Sequence, residues 1–221
     1  MNIWVLMIAV MVLSFIVQRV LNSKFEKYSQ VGCPLTGAEI AHKMLLENGI
    51  RDVSVTCIAG KLTDHYNPQD KSINLSEEVF SGRSIAAAAV AAHETGHAIQ
   101  HATAYAPIKM RSALVPVVSF CNKAVTWVLL LGCIILSITP SVLYLGIALF
   151  AVTTLFSFIT LPVEVDASRR AVQWLENTGI TTYETREMAS DALHWAAYTY
   201  VIAALGSLAT LLYYIGLSRN R

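Results

Sequence analysis

The chain has 221 residues, 55% hydrophobic and 14% charged, with a mean hydropathy of +0.52. Soluble domains carry roughly 25% charged residues, so the deficit points to lipid rather than water around much of the surface. Sixteen Lys plus Arg against fifteen Asp plus Glu (net +1) is too even for a nucleic-acid surface or a polybasic anchor, and 11 Gly with 6 Pro exclude collagen.

The apolar residues fall into four runs. Met1–Leu21 has no charge before Arg19 and reaches the length of a short span. No Lys or Arg precedes its apolar core and no small-x-small site follows, so it reads as an uncleaved anchor rather than a signal peptide. Arg19, Lys24 and Lys27 after it place its C-terminal end in the cytoplasm.

A polar segment, Asn22–Ala113, comes next. Ile40, Met44 and Leu45 share one face of a helix over Thr36–Asn48, and Gly49 suits its C-cap. Val53–Ile58 alternates and is rich in Val and Thr, which predicts a strand; Asn67-Pro68 marks a turn, and Ser72–Leu75 reads as a short edge strand. Ser84 can cap an alanine-rich helix, Ile85–His101, suited to burial against close neighbours.

The second and third runs form a hairpin over Leu114–Leu161, turning at Thr139-Pro140. Basic residues flank its two long ends and none sits in its turn, so both ends are expected in the cytoplasm. A second polar segment, Pro162–Trp195, leads to the fourth run, Ala196–Leu217, with tyrosines toward both ends. The fold class expected is a polytopic α-helical membrane protein with about four spans. The two polar segments would build one small cytoplasmic α+β domain. Cys33, Cys57, Cys121 and Cys133 have no metal-ligand spacing and read as ordinary reduced thiols.

The chemistry is carried by His93-Glu94-Thr95-Gly96-His97 within the alanine-rich helix. A spacing of four puts both imidazoles on one helical face, where they can share a zinc ion. Glu94 beside them can act as general base toward a zinc-activated water. The flanking sequence AAVAAHETGHAIQ is apolar, so polar groups there need partners, and a metal supplies one. Solvated residues on an exposed helix face are the competing reading.

A third ligand is required. His101 is eight residues from His93, about 12 Å along a straight helix, too far for one zinc, and reads as a packing residue. Glu164 and Asp166, just past Pro162, are the alternatives, and the residues alone do not rank them. Pro162 would start a cytoplasmic helix carrying both, returned to the site by the hairpin. His65, Tyr66, His101, His194, Tyr198 and Tyr200 are candidate oxyanion donors, with His65 favoured as a second catalytic residue.

HETGHAIQH, the preceding LTDHYNPQDKSINLSEEVFSGRSIAAAAVAA and the downstream LPVEVDASRRA resemble the neutral zinc metallopeptidases of the bacterial YugP-type membrane family over nearly the whole chain. A more distant resemblance is to the HtpX-type membrane proteases, whose third ligand is the glutamate of a Glu-x-x-Ala-Asp pattern. Glu164 and Ala167 match that pattern, with Ser168 where the aspartate would stand. The resemblance implies a zincin-like domain with His93, His97 and Glu164 as ligands of one catalytic Zn2+ and Glu94 as general base. Ser168 leaves the usual support of a ligating histidine open, and Asp166 could supply it.

The expected function is a membrane-bound zinc metalloendopeptidase of the bacterial inner membrane, with its active site facing the cytoplasm. By analogy with zincins, the strand before the active helix would pair with an extended substrate. Its partners would be a membrane-associated protein or peptide substrate and either a membrane-protein partner or a second copy of the chain, with no nucleic acid. The alternatives are a zinc amidase or esterase, and a non-catalytic scaffold with a structural metal.

Overall fold

The computed structural model describes residues 3–219. In chain order the elements are α1 (Ile3–Ser29), α2 (Gly37–Glu47), β1 (Ser54–Ile58), β2 (His65–Asn67), β3 (Ser72–Ser76), α3 (Glu77–Phe80), α4 (Ile85–Ala102), α5 (Ala106–Ile134), α6 (Ser141–Asn177) and α7 (Tyr183–Arg219). Helices α1, α5, α6 and α7 each contain a window apolar and long enough to cross a bilayer. The chain divides into two compact units.

The first unit takes in the chain up to Ile16, Met110–Leu161 and Thr199 onward. Its helices meet through small residues. A Cβ on Gly132 would come within 2.7 Å of the Leu143 backbone, and one on Gly146 within 2.7 Å of the Leu129 side chain. Val125, Leu129 and Leu143 fill this interface, and Phe150 meets Tyr214 edge-on at 6.4 Å. Phe120, Trp127 and Ile134 are each more than two-thirds exposed. Water would penalise large apolar groups presented this way; hydrocarbon does not.

The second unit comprises Val17–Lys109 and Pro162–Tyr198. Its sheet has the order β1-β3-β2, with β1 parallel and β2 antiparallel to β3. The expectation that β3 is an edge strand is therefore corrected. Both its sides are paired, and the edge beside it belongs to β2, where Tyr66 faces Ile73 across the ladder. A three-residue strand ending just before Pro68 has too little alternation to be seen in the sequence.

Helix α2 opens on a capping box: Thr36 Oγ1 accepts from the Glu39 N–H at 3.1 Å, and Glu39 Oε2 accepts from the Thr36 N–H at 2.7 Å. It closes at Gly49, whose φ of +71° lets the Ile50 N–H reach back to the Leu45 carbonyl. Helix α4 starts at Ser84, whose hydroxyl accepts from the Ala87 N–H. Its alanines lose no side-chain entropy and let neighbours approach from every side. Within α4 only Val90, His93, His101 and Ala102 escape full burial.

The expected helix start at Pro162 is also corrected, because α6 runs through it without a break. Pro162 lacks only one donor, and the rest of the helix carries the ladder past it. The interruption falls instead after Asn177, at Gly179 with φ of +66°.

Candidate metal centre

Glycine 96 permits the approach that builds the site. A Cβ there would lie 2.8 Å from the Ala167 carbonyl oxygen, so α6 rests directly on the backbone of α4. That contact aims Glu164, one turn before Ala167 on α6, at the two histidines of α4. Glu164 Oε2 lies 3.3 Å from His93 Nε2 and 3.6 Å from His97 Nε2. The imidazoles stand nearly perpendicular, at 82° with centroids 4.7 Å apart.

One donor atom from each of His93, His97 and Glu164 lies within 4.8 Å of the others. Tetrahedral zinc with bonds near 2.0–2.1 Å spaces its ligand atoms by about 3.3 Å. The donor set and spacing thus fit one Zn2+ with a coordination position left over. Both Glu164 and His97 are buried, while His93 retains partial exposure.

Glu94 is buried beside this cluster, and its Oε2 accepts a hydrogen bond from the Tyr66 N–H at 2.9 Å. The N–H of Tyr66 points outward from β2, away from β3, so the sheet edge itself meets the carboxylate. Burial pushes the Tyr66 phenol above its ordinary value, with the Asp52 charge adding to the effect, so it stays protonated and able to donate.

The remaining sequence candidates separate. His65 Nδ1 lies 2.8 Å from the Thr63 carbonyl, and its Nε2 lies 3.3 Å from the Asn74 amide nitrogen. His101 packs its ring against Tyr66 at 6.1 Å, as a packing residue would. His194 Nδ1 is 3.3 Å from Ser190 Oγ, and Tyr198 stacks edge-on with Trp195. Asp166 pairs with Arg169 and Arg170, each at 2.6 Å. Ser168 Oγ is 3.1 Å from His93 Nδ1, one turn beyond Glu164 on the same face of α6. Two contacts had no counterpart in the sequence reading: the Tyr66 N–H on Glu94, and Gln100 Oε1 at 3.1 Å from His97 Nδ1. Only the spacing of three from His97 to Gln100 hints at the second.

A His-His-Glu zinc site on an HExxH helix, with four long apolar helices among the described residues, defines a membrane metallopeptidase. The chain belongs to the family described as "Putative neutral zinc metallopeptidase", whose model matches residues 3–219. It is 42% identical over 217 residues to the "Putative membrane protease YugP" of Bacillus subtilis (strain 168), covering 97% of this chain and 96% of that relative. No solved structure matches the chain. Taken with the four apolar helices, the family makes this a multi-pass membrane protein with a zinc-metallopeptidase centre.

Proposed function

We propose that the chain is an endopeptidase cutting membrane or juxtamembrane protein segments at the cytoplasmic face of the bacterial inner membrane. The observation that carries this reading is the His93, His97 and Glu164 cluster with Glu94 beside it. In this reading Met1–Leu21, Leu114–Leu161 and Ala196–Leu217 are the membrane parts. Asn22–Ala113, with the helix 84–101, and Pro162–Trp195 form the cytoplasmic parts.

His93, His97 and Glu164 hold the zinc; when bound, the ion acidifies a water and polarises the scissile carbonyl. Glu94 takes the proton of the attacking water and returns it to the leaving nitrogen. The hydrogen bond from the Tyr66 N–H keeps its carboxylate in place for both transfers. A substrate backbone in extended form would lie beside β2 and donate to its outward Tyr66 carbonyl, the Tyr66 N–H being held by Glu94, so recognition rests on main-chain groups more than on side chains. Tyr66 on β2 is the first candidate donor to the developing oxyanion; His65, the other candidate, would have to give up its contacts with the Thr63 carbonyl and the Asn74 amide to serve.

Glu94→Gln tests the reading. It should keep one zinc per chain while lowering kcat on a membrane-protein substrate by roughly 10²–10⁴-fold. Parent-like turnover would remove Glu94 from the mechanism. An impermeant thiol reagent applied to whole cells should label a cysteine introduced near Pro140 but spare the exposed Cys57. The opposite pattern would invert the orientation.

A further inference from the structure

Gln100 is wholly buried, at 0% exposure, and stands between the metal-ligand cluster and helix α6. Its amide nitrogen lies 2.8 Å from the Val163 carbonyl oxygen and 3.0 Å from Asp166 Oδ2. Both of these atoms accept. The first is a main-chain carbonyl, and the second belongs to a carboxylate paired with Arg169 and Arg170. The donating end of the amide must therefore face α6, whatever the assignment of its two terminal atoms.

That constraint turns the amide oxygen toward His97 Nδ1, 3.1 Å away. An amide oxygen only accepts, so a hydrogen of the His97 ring must sit on Nδ1. Glu164 on the Nε2 side also only accepts, and a metal bound between them takes the place of hydrogen there, leaving the Nε2 lone pair to the ion. His93 is held differently: its Nδ1 meets Ser168 Oγ, and a hydroxyl can donate or accept, so that contact imposes no tautomer.

We propose that Gln100 is a positioning residue that locks His97 in the Nδ1–H tautomer, with Nε2 presented to the metal, and that ties this lock to the Asp166–Arg169–Arg170 group of α6. The proposal rests on the reading of His93, His97 and Glu164 as a zinc site. It divides the support of the two histidines between a strict partner for His97 and a permissive one for His93. It also gives Asp166 a part in the site without making it a ligand. Its carboxylate fixes the amide that fixes the ring.

The test uses the full-length protein in proteoliposomes, with Gln100→Leu and Gln100→Met to remove both ends of the relay, and Ser168→Ala as the permissive comparison. Zinc affinity, read by competition with a chromophoric chelator, should fall roughly ten- to hundredfold in both Gln100 variants and less in Ser168→Ala. Nitrogen-15 NMR of labelled histidines in the zinc-loaded parent should show His97 bound to the metal through Nε2, with a slowly exchanging hydrogen-bonded N–H on Nδ1. The Gln100 variants should lose the hydrogen-bonded signature of that Nδ1–H, a change that loosening of the helix packing elsewhere would not confine to His97. The parent spectrum stands on its own if a variant fails to fold: a His97 bound through Nδ1 there overturns the proposal. So does an unchanged zinc affinity in a folded Gln100 variant of a zinc-binding parent. A parent that binds no zinc would overturn the site reading and this proposal together.

Discussion

Helices α4 and α6 both supply zinc ligands, yet they are held in opposite ways. Helix α4 is 18 residues long and buried on nearly every side, so its position is fixed by its own alanine-lined surroundings. Helix α6 has 37 residues, with Tyr144, Leu145, Leu155 and Val165 exposed along it. Around the site only one of its faces is tightly packed, through Val163, Glu164, Asp166, Ala167, Ala171 and Leu175. Two ligands thus come from a helix clamped all round, and the third from a helix clamped along a stripe. The difference teaches where the site is vulnerable. His93 and His97 keep their mutual geometry as long as α4 is helical, whereas Glu164 depends on the contact between two backbones.

Removing the α6 ligand should have the largest effect. Glu164→Ala is expected to lower zinc affinity by more than roughly a hundredfold, beyond the loss of an outer hydrogen bond, as measured by chelator competition. Full zinc occupancy in that variant would mean that α4 alone defines the site.

The contact itself comes next. Gly96→Ala places a Cβ 2.8 Å from the Ala167 carbonyl oxygen. Neither backbone can yield without moving a helix, so overpacking should cost about 1–3 kcal/mol. Zinc affinity should drop with it, because Glu164 moves with Ala167. Thermal unfolding of the metal-free protein and zinc competition on the same sample separate the two effects. A variant that loses stability but keeps its zinc affinity would show that α6 can be displaced without carrying Glu164 away.

The smallest effect is expected at the start of α4, remote from the metal. Ser84→Ala removes the acceptor for the Ala87 N–H and should cost about 1 kcal/mol of stability. Zinc affinity should stay within about twofold, because burial along the rest of α4 holds the histidines. A large loss of zinc binding here would mean that α4 is less securely clamped than its burial implies.

What could be read from the chain in advance follows the same division. The capping box of Thr36 and Glu39, the cap at Ser84 and the pairing of His93 with His97 on one face are local. They depend on spacings of three and four that any helix reproduces. The apolar runs in α1, α5, α6 and α7 were equally legible, since span length is set by lipid thickness. By contrast, β2 has no signal in the chain beyond the turn marked by Asn67-Pro68, because its three residues are a strand only by virtue of pairing with β3. The local preference of Pro162 predicts a helix start, and the continuous helix overrides it.

The sequence by itself determined that this protein carries an HExxH pair on a buried helix, that it has four apolar runs, and that a carboxylate near Pro162 was available to complete the site. It left Glu164 and Asp166 unranked until a family resemblance favoured the first. Two residues apart on a helix, their side chains diverge by about 200° and stand on opposite flanks of the face that meets α4, so the choice turns on which flank lies over the two histidines. Tertiary structure decided it, through the missing side chain of Gly96 that seats Ala167 against α4. The same contact turned Ser168 toward His93 and gave Asp166 to Gln100. A local pattern can specify which groups lie on one face of one helix; which faces of two helices meet is a property of the packed chain.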